Sequence, residues 1–287
     1  VIENNFDDQD DSENRCHEPK MGYIKRNNIK QSLHTLISSY KYKEAISAYH
    51  SYKRTFEDGV ANDVLPLLEH ARLRLELEYK IALNHVNKIE DLSLASIFTD
   101  WRRIKLHEFL MLMEVRLKQS QIEEFILKIT PFMYELMLYY FSTVYSTKWE
   151  DVIKITAVGP RINMESFKEK YPQLYYSWHA HSRTSQFNEI PLSLQHMIHM
   201  LEDQPNINSL LLKQLKDIRR IEKDIRNKLA HEVIVLTEED ICKSAKIKSL
   251  QSFLELIKAV FANMTGLSKQ NELIYDTINS YVLDQIQ

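Results

Sequence analysis

Apolar residues recur at three- and four-residue intervals along most of this chain, the spacing of helices that bury one face. Ile29, Leu33, Leu36 and Ile37 form a first stripe, and Tyr42, Ala45, Ile46 and Tyr49 a second. Leu65, Leu68, Leu73, Leu77, Ile81, then Ile97, Ile104, Leu110 and Met113, carry the pattern to about residue 117. Gly59 and the segment 91–96 read as breaks. A second helical block starts near Gln121, and Pro131 inside its apolar run predicts a kink or a helix start. The period fades over 146–192, where Gly159, Pro160, Pro172 and Pro191 predict an irregular insertion. Asn206 or Asn208 then caps a long helix whose buried face is Leu211, Leu215, Ile218, Ile225 and Leu229. Val233-Ile-Val-Leu236 interrupts it. Thr237-Glu-Glu-Asp240 starts another helix, running to about residue 263, and a last helix spans roughly 269–284.

The pattern predicts an all-α protein, and composition agrees. The 287 residues hold only 4 Gly, which removes the Rossmann fingerprint and the P-loop from consideration. Three segments are expected: an acidic linker or disordered lead-in over 1–20, a helical linker domain over 21–118, and a C-terminal helical bundle over 119–287. The Tyr-Lys-Tyr-Lys-Glu-Ala-Ile stretch at 40–46 looks like a helical-repeat unit but has no second copy. The net charge of −3 creates no global field to gather nucleic acid, so any nucleic-acid binding would have to be local. Two distant cysteines, Cys16 and Cys242, suggest a reducing, cytoplasmic setting. The most apolar run, 131–141, is too short to span a bilayer, and no signal-peptide pattern is present. Val1 in place of Met suggests a piece of something longer.

The chemistry concentrates in Arg226-Asn227-Lys228-Leu229-Ala230-His231. A permanently charged guanidinium and a group titrating near neutrality stand five residues apart. The spacing alone is weak, because Arg102 and His107 repeat it. On a helical wheel Arg226 lies roughly 70° from the centre of the apolar stripe and His231 about 150° from it, ~7.5 Å further along the axis. One unbroken helix would not bring both to a single phosphate. Either the helix ends or distorts between them, or a second subunit completes the site in a symmetric dimer. RNA carries its own nucleophile, the 2′-hydroxyl. Histidine can move the protons, and the arginine fork can offset charge on the phosphoryl oxygens. Asn227 adds hydrogen bonds, and Lys228, with Arg219, Arg220 and Lys223 upstream, can hold backbone phosphates. No cofactor or metal is required, and the products would be a 2′,3′-cyclic phosphate and a 5′-hydroxyl. The competing explanation for the pair is simple: both residues are favoured near a helix C-terminus by its dipole.

Arg-Asn-x-x-x-His at the end of a long helix, followed by a short break and a Thr-Glu-Glu-Asp helix start, resembles the HEPN ribonuclease superfamily. Residues 15–54, from Arg-Cys-His-Glu-Pro-Lys through Tyr-Lys-Tyr-Lys-Glu-Ala-Ile, resemble the middle helical domain of the Csm-type ancillary ribonuclease of type III-A CRISPR systems. The resemblance implies Arg226 and His231 as the catalytic pair with Asn227 as companion. It implies a dimeric, metal-independent endoribonuclease for single-stranded RNA, active in antiviral defence and switched on by cyclic oligoadenylate. That activator would bind an N-terminal CARF sensor domain, of which this sequence shows no βαβ pattern.

Other features have alternative readings. His179, His181, His196 and His199 could suggest a metal site with Glu189 or Asp203, but read more simply as polar loop histidines. Trp178, with Tyr175, Tyr176, Phe187 and Arg183, could stack RNA bases or fill the core of the insertion. Asp217, Glu222 and Asp224, interleaved with the basic residues before the motif, read as an ordinary solvated face. Rival functions are a non-catalytic helical dimerisation scaffold and a HEPN toxin of a toxin–antitoxin pair.

Overall fold

A computed structural model describes residues 21–55, 62–90, 101–157, 159–181, 189–231, 237–267 and 273–286. The acidic lead-in, the break at Gly59, the 91–96 segment and the Val233–Leu236 run lie outside the described residues. Among the described residues the protein is all-α apart from one small sheet. The chain divides into two compact units, residues 1–97 with 272–287 and residues 98–271.

The first unit contains α1 (Met21–Ser38), α2 (Tyr42–Thr55), α3 (Val64–Leu75) and α4 (Tyr79–Val86), joined by the last helix of the chain, α13 (Ile274–Gln285). Helix α13 packs against α3 and α1. Two polar pairs hold it there: Tyr42 Oη donates to Asn279 Oδ1 at 2.8 Å in the core, and Tyr40 Oη donates to the half-buried Asp276 Oδ1 at 2.5 Å. Burial pushes the Tyr42 phenol well above its ordinary range. The expected boundary at 118 and the expected inclusion of the C-terminal helix in the second domain therefore differ from the packing. The stripe of α13 and its hydrogen-bonding partners match the first unit, a pairing across more than 200 residues that local pattern does not encode.

The second unit contains α5 (Trp101–Lys118), α6 (Ile122–Val144), α7 (Met164–Lys170), α8 (Pro172–His181), α9 (Leu194–Glu202), α10 (Ser209–His231), α11 (Glu238–Ala245) and α12 (Leu250–Thr265). Helix α5 belongs here because it packs on α6 and α12, with Lys258 paired to the nearly buried Glu114 at 2.8 Å. Helix α6 is the central element. Phe125, Ile126, Ile129, Phe132, Met133, Leu136, Met137 and Phe141 bury its inner face, and the helix runs through Pro131 rather than starting there. The segment 146–192 is ordered where it is described. Strands β1 (Ile153–Thr156), β2 (Gly159–Asn163) and β3 (Glu189–Pro191) form an antiparallel sheet, with Ile153 opposite Ile162 and Ile162 opposite Ile190. These strands are too short for alternation to show in the sequence.

The helix starts follow side-chain chemistry. Asn208 Oδ1 accepts from Leu210 and Leu211 N–H at 2.8 and 3.3 Å, capping α10. Thr237 and Asp240 form a reciprocal capping box at α11, and Ser249 and Ser252 another at α12. The single helix expected over 237–263 is two, divided at Lys246, which adopts the left-handed conformation at φ 54° and ψ 46°. Helix α12 ends on the left-handed Gly266, but with so few glycines this chain also uses ordinary residues for that conformation. Tyr40, Leu77 and Ser120 also have positive φ. No described helix is long and apolar enough to cross a membrane.

Candidate active site

Helix α10 carries the candidate residues, and its wheel explains their environments. Glu222 falls inside the apolar arc, while Arg219 and Arg226 lie together on one flank of it. Read as part of a solvated face, Glu222 is instead completely buried. Its carboxylate is saturated with donors from two helices. Thr130 of α6 donates to Oε1 at 2.5 Å, and Arg226 Nη1 donates to the same oxygen at 3.1 Å. Arg219 donates to Oε2. Burial alone would raise the Glu222 carboxyl, but the bonds from Thr130 and Arg226 and the charge of Arg219 outweigh it, so it lies below the usual carboxylate range. The signal was present in the sequence: an acid within an apolar stripe must be paired, and two arginines flank it at i−3 and i+4.

Arg226 is thus anchored from behind while its side chain remains 57% exposed. It opens onto a groove of about 940 Å³ lined by Thr130, Pro131, Tyr134, Ile155, Arg219 and others. The groove is largely apolar. Ile155 is 77% exposed in its wall, and the Tyr134 phenol is pushed up to about 12 by burial and by the Glu135 carboxylate. Asn227 is exposed beside Arg226. Helix α10 is continuous from Ser209 to His231, so the distortion that could have brought Arg226 and His231 together within one chain does not occur. The helical repeat sets the two Cα atoms about 140° apart around the axis and ~7.5 Å along it. Lys228 and His231 lie on α10, and their side chains are outside the described residues.

The other residues singled out separate by face. Arg219 lines the groove with Arg226. Lys223 is exposed one turn before Arg226. Arg220 points away from the groove, donating to the Ala245 carbonyl at 3.0 Å beside a smaller depression that includes Lys246 and Lys248. Trp178 corrects the stacking expectation. It is 1% exposed, packed edge-on against His196 and Tyr175, and its ring cannot meet a base. Helix α8 turns that face onto α9, while Tyr176 on the same helix is 57% exposed. Phe187 and Arg183 lie outside the described residues.

The histidines also divide. His179 lies against the Tyr175 ring. His196 is held toward its neutral form by burial and the nearby charge of Arg219, despite its bond to the Pro191 carbonyl. His181 and His199 come together with Glu202, a residue the spacing had not included. The Arg102–His107 pair lies on α5, where His107 sits against Phe261 and Glu108.

Residues 97–283 match the family model described as the Cas_Csm6 HEPN domain. No curated protein matches the chain. Among solved structures, Enterococcus italicus Csm6 bound to cyclic hexa-2'-fluoro-hexa-dAMP shares the fold, with a TM-score of 0.66 at 14% identity, covering 96% of this chain and 61% of that one. The chain therefore spans about three fifths of the length of that structure. A family match over well over half the sequence, which includes the helix that carries Arg226, shows that the chain belongs to the Cas_Csm6 HEPN domain family.

Proposed function

We propose that this chain is the ribonuclease portion of a CRISPR-associated antiviral protein, cutting single-stranded RNA at a composite site formed by two copies. The observation that carries the reading is the buried Glu222 carboxylate, which fixes Arg226 at the rim of a groove on the helix ending at His231. In one copy the helical repeat keeps Arg226 and His231 on different faces. A second α10 related by a two-fold axis supplies the missing partner, and the apolar wall with Ile155 gives the two copies a surface to bury.

Within that site the 2′-hydroxyl of the RNA attacks the adjacent phosphorus. The imidazole of His231 takes its proton or delivers one to the departing 5′-oxygen. The Arg226 guanidinium holds the phosphoryl oxygens as charge grows on them, and Asn227 donates a further hydrogen bond. Arg219 lies on the same rim. Lys223 and Lys228 hold flanking phosphates, and Arg220 extends the basic surface on the other side of α10. No metal enters this chemistry. The products are a 2′,3′-cyclic phosphate and a 5′-hydroxyl. Type III-A membership and a cytoplasmic location belong to the same reading. Activation by a cyclic oligoadenylate would act through a sensor domain outside these residues, in keeping with the cyclic nucleotide bound to the Enterococcus italicus relative.

The test is cleavage of an unstructured, end-labelled RNA by untagged protein in excess chelator, with product ends identified by phosphatase and kinase sensitivity. Arg226→Ala and His231→Ala should each lower kcat/KM by ~10²–10³ while sedimentation shows the dimer intact. Undiminished cutting by either variant, or products ending in 3′-hydroxyl, refutes the assignment.

A further inference from the structure

His181 ends α8, and His199 and Glu202 lie one turn apart near the end of α9. One atom from each lies within 4.8 Å of the others. The arrangement is convergent rather than merely close. His181 Nδ1 is 3.1 Å from Glu202 Oε2, and His199 Nδ1 is 3.0 Å from the same oxygen. The two imidazoles stack at 5.8 Å with planes 12° apart, so their Nδ1 atoms face one point. In a tetrahedral site with bonds of ~2.0–2.1 Å, neighbouring ligand atoms stand about 3.3 Å apart. The two nitrogen–oxygen separations need only open slightly around a central ion, and the two nitrogens already lie within 4.8 Å of each other.

A second layer is already assembled. His181 Nε2 lies 3.0 Å from Asp203 Oδ2, the carboxylate–histidine pairing that fixes ring orientation in metal sites. His199 Nε2 lies 3.0 Å from the Gln195 side-chain amide, whose oxygen and nitrogen can exchange places by a flip. Lys216 of α10 holds the other oxygen of Glu202 at 2.6 Å. Burial would raise the Glu202 carboxyl, but the bonds from Lys216 and His199 outweigh it and hold it below its ordinary range. The ligands themselves are only partly buried, at 36%, 20% and 13% exposure for His181, His199 and Glu202, so an ion can reach them from solvent.

We propose that His181, His199 and Glu202 form a binding site for a divalent transition-metal ion of the zinc class, with Asp203 and Gln195 orienting the two imidazoles. Two neutral imidazoles and a carboxylate suit zinc and leave a fourth position for water. The ion would be structural. It would tie the end of α8 to α9, and Lys216 links that corner to α10 ten residues before Arg226. The proposal does not rest on the nuclease reading, and the proposed cleavage chemistry does not pass through this site.

The experiment uses the untagged full chain, stripped of metal, titrated with Zn²⁺ against a chromophoric chelator and with Co²⁺ by visible absorption. One site should bind Zn²⁺ stoichiometrically, and Co²⁺ should show the intense visible bands of tetrahedral coordination. His199→Ala and His181→Ala should abolish the bands and weaken Zn²⁺ by at least ~100-fold, with Asp203→Asn weakening it by ~10–100-fold. Lys216→Gln, which removes a positive charge from the ligand set without touching a ligand atom, should tighten binding several-fold. Tryptophan fluorescence confirms folding of each variant. Zn²⁺ affinity unchanged in His199→Ala, Co²⁺ without tetrahedral bands in the wild type, or Lys216→Gln that weakens binding would each overturn the site.

Discussion

Replacing Glu222 by glutamine separates the two jobs assigned to that carboxylate, holding the unit together and aiming Arg226. Glutamine has nearly the same shape but one acceptor oxygen and no charge. It can satisfy either the Thr130–Arg226 side or the Arg219 side, and its amide N–H₂ then confronts a guanidinium or a hydroxyl. A hydrogen bond to a charged group contributes ~1.5–3 kcal/mol, and a buried group left unpaired costs a similar amount. The Arg226 arm is discounted because that side chain is 57% exposed and can hydrate itself. The Arg219 arm, at 26% exposure, and the Thr130 hydroxyl carry most of the effect. The expected loss of stability is about 2 kcal/mol, read by urea denaturation. The chain's 3 tryptophans, Trp101, Trp149 and Trp178, all lie within residues 98–271, so their fluorescence reports the unit that contains α10. RNA cleavage at a temperature where the variant remains folded should fall by about tenfold, less than for Arg226→Ala, because the guanidinium remains but is no longer fixed. The pH dependence has a definite sign. The Glu222 carboxyl lies below its ordinary range when folded, so its stabilising contribution is complete above the unfolded pKa of ~4.3 and disappears as pH falls through the lower folded value. The gap between wild type and Glu222→Gln should be flat near neutrality and close on acidification. A variant within ~0.5 kcal/mol of wild type at pH 7, with unchanged cleavage, would refute this account of Glu222.

Trp178→Ala should cost ~3–5 kcal/mol in denaturation followed by circular dichroism, and leave RNA affinity of the folded protein unchanged; a selective loss of RNA binding would return Trp178 to the interface. Lys246→Gly should stabilise the second unit by roughly 0.5–1 kcal/mol, because glycine relieves the left-handed backbone at an exposed position, and a lower denaturation midpoint would contradict that. Asn208→Ala should destabilise by ~0.5–2 kcal/mol through the uncapped first turn of α10, whereas Asn206→Ala should be near neutral; equal effects would place the cap elsewhere.

The helical class, the length and start of α10, a cap at Asn206 or Asn208 and the Thr237 capping box were legible in the sequence, because period and capping are local properties of neighbouring residues. So was Arg226 as a polar residue at the edge of an apolar stripe, and it is exposed. Tertiary structure decided the rest. Glu222 could be read as solvated because acids in basic surroundings usually are, and only the approach of Thr130 from α6 shows what closes over it. Trp178 lost its candidacy when α9 covered it, and His181 met Glu202 because α8 and α9 pack side by side. The assignment of α5 and α13 to different units from those expected, and the division of the last long pattern at Lys246, followed from which surfaces found complementary partners. A periodic stripe states that a face must be buried. It does not state against what, and that choice is made by the global sum of contacts once the chain is compact.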